Sequence, residues 1–428
     1  MQVLIVALLF HFMLFFWSFK RPEILIVYIA FFFQSTDTLL DGVGIYSGRM
    51  LIRLLIVLWV LMISYMKSGR KAISITPMLR SKFSMGYLLL IVVGLISISY
   101  SPMYISDKLM HIRNMIIYNF IPMSLFLVLF RKNVSFERIP IQVAILSMIT
   151  AVILARYGDV SNLVIGDRLT LSESIGIGSI ALSRLAVFVF VVSFFSLINT
   201  RGLRTQLPFI LSLILSIFVM LLSAQRGPIV GLGVGMLFWV VFKSGLKTKL
   251  RSLVALVIVV MVTLTFNIDQ FGVTDRFDDL RNYETYARYD DFPRTYALFL
   301  ESPILGHGVK GYFEKTGRVY PHNIFLEVIA EYGVVGLAIL MIMLGEIFKW
   351  IMSILYSTRS ESYKMALAMA WIALFVSSQF SSDLSGNHIF YSVSGLVCSV
   401  MIAEKEKGKA RETKRWAELS ILAQPQKG

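Results

Sequence analysis

The sequence predicts an all-α, polytopic integral membrane protein of about 12–14 transmembrane helices, with thirteen as the best count, and one long extramembrane loop that contains short helices. Three observations predict it. The 428 residues are 57% hydrophobic with a mean hydropathy of +0.73, well above what a water-soluble domain carries. Apolar stretches of about 18 residues or more recur from end to end, each long enough to cross a hydrocarbon core. Positive charge collects in alternate loops. In lipid the backbone must satisfy its own hydrogen bonds, which selects helices over open strands, and the alternating pattern of a membrane barrel is absent.

The spans fall near 2–19, 23–38, 50–66, 83–101, 113–130, 140–156, 179–198, 208–224, 228–242, 252–268, 332–348, 365–381 and 389–403. The first is apolar but has neither a basic start nor a small-residue cleavage site before Lys20 and Arg21, so it reads as a retained span. The second is short. Together, residues 1–403 read as a single transmembrane domain that includes a loop at 269–331, and residues 404–428 read as a charged, frayed tail.

Orientation follows from charge. Lys20, Arg21, Lys67, Arg70, Arg131, Lys132, Arg201, Arg204, Lys247, Lys249, Lys349 and Lys364 fall on one side with the tail, which the positive-inside tendency assigns to the cytoplasm. The net charge of +15 is therefore topological and not a sign of nucleic-acid binding. The single cysteine, Cys398, excludes an internal disulfide. Three segments, 102–112, 157–179 and 269–331, face the other side. They carry Arg168, Arg276, Arg281, Arg288, Arg294, Lys310, Lys315 and Arg318 against the charge rule, which suggests an anionic ligand there. The plainer reading is that neighbouring carboxylates such as Asp290 and Asp291 pair with them.

Within this frame a few residues have chemical potential. Arg226, in LLSAQRGPIVG, sits where two apolar spans meet, and Gly227-Pro228 reads as a tight turn aiming the guanidinium outward at headgroup depth. A planar guanidinium suits phosphate oxygens, although an interfacial anchor is the ordinary alternative. Arg49 and Arg53 are four apart and share a helix face. In ARYDDFPRTYALFLESPILGHG the spacing predicts a short helix over 293–300, stopped by Ser302-Pro303, with Gly306 and Gly308 at positive φ and Arg288 and Arg294 at the helix start. In YPHNIFLEVIAEYGVVG, Asn323 is placed to cap a helix whose first turns hold Glu327. His322 before it could act as a base near neutral pH, while a structural histidine is the commoner case. Glu327 and Glu331 are four apart, yet no carboxylate pair shows a metal-ligand spacing, and His307 and His388 are scattered. No metal and no cofactor are expected.

Taken together, three motifs resemble the O-antigen ligase/polymerase family of bacterial membrane glycosyltransferases. They are Ser-x-x-Arg-Gly at Ser223–Gly227; Arg288 and Phe292 ahead of Pro303-x-x-Gly306-x-Gly308; and Pro321-His322-Asn323 through Glu327, followed by Glu331-x-Gly333-x-x-Gly336. Family members often carry Trp where Phe292 stands. The resemblance covers roughly residues 180–345 and implies an inner-membrane enzyme whose 269–331 loop is periplasmic. Its donor would be an undecaprenyl-diphosphate-linked glycan, and neither a nucleotide sugar nor a metal would be needed. By resemblance, Arg226 and Arg288 grip the pyrophosphate and His322 is the base. Arg294, Arg49, Arg53, Arg168, Asn323 and Glu327 are secondary candidates for substrate binding. One direct displacement would invert the anomeric centre.

The acceptor divides the family. A polymerase joins lipid-linked repeat units, often alongside a chain-length regulator, and a ligase moves the finished polymer onto lipid A–core. The reading leans to polymerase because the 157–179 loop, with Gly166, Arg168, Gly176 and Gly178, offers room for a second lipid-linked glycan. A lipid-linked oligosaccharide flippase is the rival from another class. Transporters, however, gather polar groups at the membrane midplane, whereas here they gather at one face.

Overall fold

The computed structural model describes residues 2–33, 48–68, 74–129, 136–157, 179–223, 225–243, 285–357, 361–380 and 383–422. Among these the chain is helical and has no strand. The order is α1 (Gln2–Lys20), α2 (Glu23–Val27, continued by a π-turn Tyr28–Phe32), α3 (Gly48–Ser68), α4 (Thr76–Arg80), α5 (Lys82–Ser97), α6 (Ile105–Asn114, running through a π-turn Met115–Phe120 into α7, Ile121–Leu129) and α8 (Ile139–Tyr157). There follow α9 (Ser179–Asn199), α10 (Leu203–Ser223), α11 (Arg226–Lys243), α12 (Thr285–Glu301), α13 (Gly311–Thr316), α14 (Ile324–Tyr356), α15 (Ser362–Ser377) and α16 (His388–Leu422).

Among the described residues four stretches are long and apolar enough to cross a membrane: Ile105–Leu129, Ile180–Asn199, Leu203–Leu221 and Ile324–Tyr356. Shorter apolar helices accompany them, among them Lys82–Ser97, Arg226–Phe242 and Ser362–Ser377. The expected span at 252–268 lies outside the described residues, and so does the end of the span expected at 23–38.

Close packing is bought with small residues rather than with a hydrophobic gradient, as lipid requires. On α11, Gly227, Gly231 and Gly235 share one face, and a Cβ on Gly231 would lie 2.1 Å from the Ala373 carbonyl oxygen of α15. A Cβ on Gly395 of α16 would lie 2.7 Å from the Met123 backbone of α7. Polar bridges add to this. Ser147 and Ser193 both reach the Ser212 hydroxyl, at 2.8 and 3.0 Å, which ties α8 and α9 to α10. The Trp371 indole donates to Ser394 at 2.9 Å, and Phe31 stacks on Phe188 at 4.3 Å.

Four boundaries differ from the sequence expectation. The 102–112 loop is mostly helix, because Lys108 turns back and donates to the Ile98 and Ser101 carbonyls (2.9 and 3.0 Å), capping the end of α5. The helix expected at 293–300 begins at Thr285, with Pro293 in its interior. Its first half is anchored by buried Asp291, which accepts from the Tyr312 hydroxyl and from Arg318, both at 2.7 Å. Gly227-Pro228 is not a turn: Arg226 opens α11, and Pro228 occupies the first helical turn, where its missing N–H costs nothing. The tail continues α16 as helix to Leu422 instead of fraying.

Candidate functional site

The site is organised by a break in α14. Gly333 has φ 59° and ψ −153°, a conformation open essentially to glycine alone. The break frees carbonyls that a continuous helix would use. The Ala330 and Glu331 oxygens accept from the His307 and Gly308 N–H groups at 2.9 and 2.8 Å. In return, Val334 N–H donates to the Pro303 carbonyl at 2.9 Å and Val335 N–H to Ile304 at 3.3 Å. Gly306 and Gly308 have φ of 67° and 79°, as expected from the sequence. A Cβ on Gly306 would fall 2.4 Å from the Glu331 carbonyl carbon, and one on Gly333 would fall 2.4 Å from the Ile304 oxygen. The Pro303-to-Gly308 and Glu331-to-Gly336 motifs are thus two halves of one interlock. It is fastened to the end of α5 by Val309, whose N–H donates to Ser97 Oγ (3.0 Å) and whose carbonyl accepts from Ser101 Oγ (2.7 Å).

The interlock fixes the start of α14. Asn323 caps it as the sequence indicates, its Oδ1 accepting from the N–H groups of Phe325 and Leu326 at 2.9 and 3.2 Å. His322, just before the cap, is held at φ 53° in the left-handed region, which disfavours any residue with a Cβ. Its half-buried ring meets Tyr320 edge-on at 4.6 Å.

Below this lies a buried polar cluster. Lys310 Nζ donates to Asp383 Oδ2 at 2.9 Å, joining the loop after α12 to the α15–α16 connection. Asp383 Oδ1 also accepts from the Gly386 N–H at 2.8 Å. Burial pushes the Asp383 carboxyl up, but Lys310 and the hydrogen bonds outweigh it and hold the group down at about 2. Burial likewise works against the Lys310 ammonium, and Asp383, with Glu331 and Glu327 behind it, raises it above its ordinary value. His111 Nδ1 lies 3.6 Å from Asp383 Oδ2. Glu327 Oε2 accepts from the Leu384 N–H at 2.8 Å, and Asn119 donates to Tyr87 OH at 2.8 Å and to the Leu384 carbonyl at 3.0 Å. Burial first, then Asp383, raises the Tyr320 hydroxyl, with Arg184 and Lys310 opposing, so the same charges bear on the ring that packs against His322.

The arginines fall into different settings. Arg226 is exposed at the start of α11, and its neighbour Gly227 packs on Phe380 at the end of α15. One turn away, buried Arg184 donates to the Ser377 hydroxyl and carbonyl at 3.1 and 3.2 Å. The end of α15 therefore links the Arg226 helix start to the charges beneath His322. Arg53 is 3% exposed, with its guanidinium over Phe33 and Tyr118 (4.8 and 4.6 Å) and a bond to the Ile29 carbonyl at 3.3 Å, so it does not share an open face with Arg49. Arg294 lies on the surface of α12, 3.4 Å from Asp290, and Arg318 pairs with Asp291, so carboxylate pairing accounts for these two. Arg49 and Arg288 lie on α3 and α12, but their side chains, like the whole of Arg168, are outside the described residues.

Sequence reasoning missed His111, Arg184, Lys310 and Asp383 as a group. Each is an ordinary residue in its own segment, and only the fold brings them together. The visible signals were the Glu327/Glu331 spacing, Lys310 among the cations opposite the basic loops, and Arg184 near the end of an apolar span.

This combination of apolar helices, a broken helix and a charged cluster where several helix ends converge defines a helical membrane protein with a polar site at one end of its bundle. Residues 211–341 match the family model described as O-antigen ligase, which supports the O-antigen ligase/polymerase family for this chain. The chain is also 28% identical over 262 residues to an uncharacterized protein of Haemophilus influenzae. That match takes in 53% of this chain and 64% of the relative, so the chain spans less than two thirds of the relative's length.

Proposed function

We propose that this protein transfers an undecaprenyl-diphosphate-linked O-antigen glycan to a sugar hydroxyl at the periplasmic face of the bacterial inner membrane, as an O-antigen polymerase joining repeat units. The observation that carries this reading is the family match over 211–341, which encloses the Arg226 helix start and the His322-Asn323 helix start together. In the proposed step His322 takes the proton of the acceptor hydroxyl. The acceptor oxygen bonds to the anomeric carbon as the bond to the pyrophosphate oxygen breaks, and the configuration inverts. Arg226 and Arg288 meet the charge that develops on the departing lipid pyrophosphate, so this step needs no metal. Arg294, Arg49, Arg53, Arg168, Asn323 and Glu327 support binding or position these groups. Asn323 does so by capping α14, and Glu327 by holding the Leu384 N–H. Membrane lipid surrounds the protein, and a chain-length regulator is its expected partner.

The description of the matched family favours a second reading, ligation of the polymer to lipid A–core. Lipopolysaccharide from cells lacking the protein separates the two. Loss of a polymerase leaves core with a single repeat, and loss of a ligase leaves bare core and accumulated lipid-linked polymer. Unchanged lipopolysaccharide with glycan trapped on the cytoplasmic side of the membrane would point to a flippase instead. Complementation with a protein carrying both His322→Ala and Arg226→Ala should fail; a normal ladder refutes the site.

A further inference from the structure

Behind the His322 helix start, His111 of α6 and Glu327 and Glu331 of α14 each present one ligand atom, and these atoms lie within 4.8 Å of one another. Bonds of about 2.0–2.2 Å to nitrogen and oxygen, as zinc makes, put ligands about 3.4 Å apart in a tetrahedral shell and up to about 4.4 Å apart across the ion, inside that separation. All three residues are buried, at 2%, 1% and 2% exposure. Among the described residues neither glutamate has an ion-pair partner, because the nearby ammonium of Lys310 is engaged with Asp383. Both ring nitrogens of His111 and Glu331 Oε2 are buried without a hydrogen-bond partner. Asp383 Oδ2, whose charge Lys310 already takes up, lies 3.6 Å from His111 Nδ1, within electrostatic range but beyond hydrogen-bond reach.

Two buried carboxylates four residues apart on one helix, beside an imidazole that makes no hydrogen bond, carry both a charge deficit and a hydrogen-bonding deficit. Protonating a glutamate removes the charge problem but leaves the imidazole unmet. One cation answers both, since a neutral imidazole and two carboxylates are all electron-pair donors.

We propose that His111, Glu327 and Glu331 form a binding site for a divalent transition-metal ion, of the Mn2+ or Zn2+ type that accepts mixed nitrogen and oxygen ligands, rather than for Ca2+ or Mg2+. The ion pins α6 to the first half of α14, between the Asn323 cap and the Gly333 break. It holds the helix that carries His322 and takes no part in glycosyl transfer.

The test is metal content of the full-length protein, purified into lipid nanodiscs without chelator, incubated with Zn2+ or Mn2+ and desalted. Wild type should retain about one equivalent, and His111→Gln and Glu331→Gln should each bind roughly tenfold more weakly or worse. Arg226→Ala should retain the ion even as transfer is lost, so failure of the metal site and failure of the transfer reading are distinct results. X-ray absorption of the wild-type Zn2+ form needs no variant, and it should show imidazole scattering with otherwise oxygen ligands. Absence of retained metal in wild type, equal retention in both glutamine variants, or a zinc shell without imidazole each overturns the proposal.

Discussion

Replacing Gly333 with alanine tests whether the α14 break organises the site. At φ 59° and ψ −153° an alanine is held in a region that costs about 1–3 kcal/mol. Its Cβ also meets the Ile304 carbonyl oxygen at 2.4 Å and the Pro303 oxygen at 2.7 Å, both backbone atoms that move only if the loop moves. Loop movement would break the Val334-to-Pro303 and Val335-to-Ile304 bonds, at about 1 kcal/mol each. The expected loss is therefore about 3–5 kcal/mol. Gly317 is the control. It has φ 69° and ψ 4°, and no atom lies within 4 Å of a Cβ there, so Gly317→Ala should cost only the left-handed penalty of about 1–2 kcal/mol. Reversible unfolding in mixed micelles with increasing denaturing detergent reads both. Equal losses in the two variants, or a Gly333→Ala protein as stable as wild type, would refute the interlock.

Three further outcomes are expected. Asp383, held at about 2 against an ordinary 3.8, contributes about 2 kcal/mol; because its folded value is depressed, that stability is present above pH 4 and is lost as pH falls toward 2. Asp383→Asn should be less stable than wild type at pH 7 by at least that amount, with the gap narrowing in thermal melts below pH 4; a gap independent of pH would contradict the ion pair. Asn323→Ala should cost about 1 kcal/mol through the lost cap, and Asn323→Asp should restore most of it in the same unfolding assay. Gly231→Ala, whose Cβ would press on the Ala373 carbonyl, should separate α11 from α15 and destabilise the protein. Gly233→Ala, with nothing within 4 Å, should be neutral or stabilising by up to about 1 kcal/mol.

Much of this architecture is legible in the sequence, and the rest is hidden for identifiable reasons. Apolar runs announce helices because lipid leaves the backbone no other partner. The positive φ of Gly306 and Gly308 and the Asn323 cap follow from local turn and cap chemistry, which needs only a few residues to act. The start of α12 was misplaced because Pro293 resembles a helix start, while the reason for continuing upstream is tertiary, namely the contacts of Asp291 with Tyr312 and Arg318. Arg53 looked like half of a cationic face, yet the rings that receive it come from Phe33 and Tyr118, on other segments. His111 lay in a segment read as loop, and its companions Glu327 and Glu331 are more than 200 positions away. Periodicity and spacing report what neighbours along one helix do, and this cluster is made between helices.

The interlock also separates what the motifs do structurally from what they leave for chemistry. Pro303-x-x-Gly306-x-Gly308 and Glu331-x-Gly333 occur together because each supplies N–H groups to carbonyls that the other has freed, at distances where any Cβ would collide. Their glycines are therefore explained by positive φ and close packing, Gly306 and Gly333 against backbone across the interlock and Gly308 against Ser97 and Ser101 at the end of α5, with no need for a ligand. His322 is different. It sits at φ 53° where glycine would be easier, and no backbone bond made by the interlock requires an imidazole at that position. A residue held in the left-handed region, beside a helix cap that already satisfies the local N–H groups, fits the base proposed for its ring, a role that the backbone geometry does not itself require. Substituting His322 with glycine makes the distinction measurable: the backbone strain is relieved, so stability should hold or rise while transfer is lost.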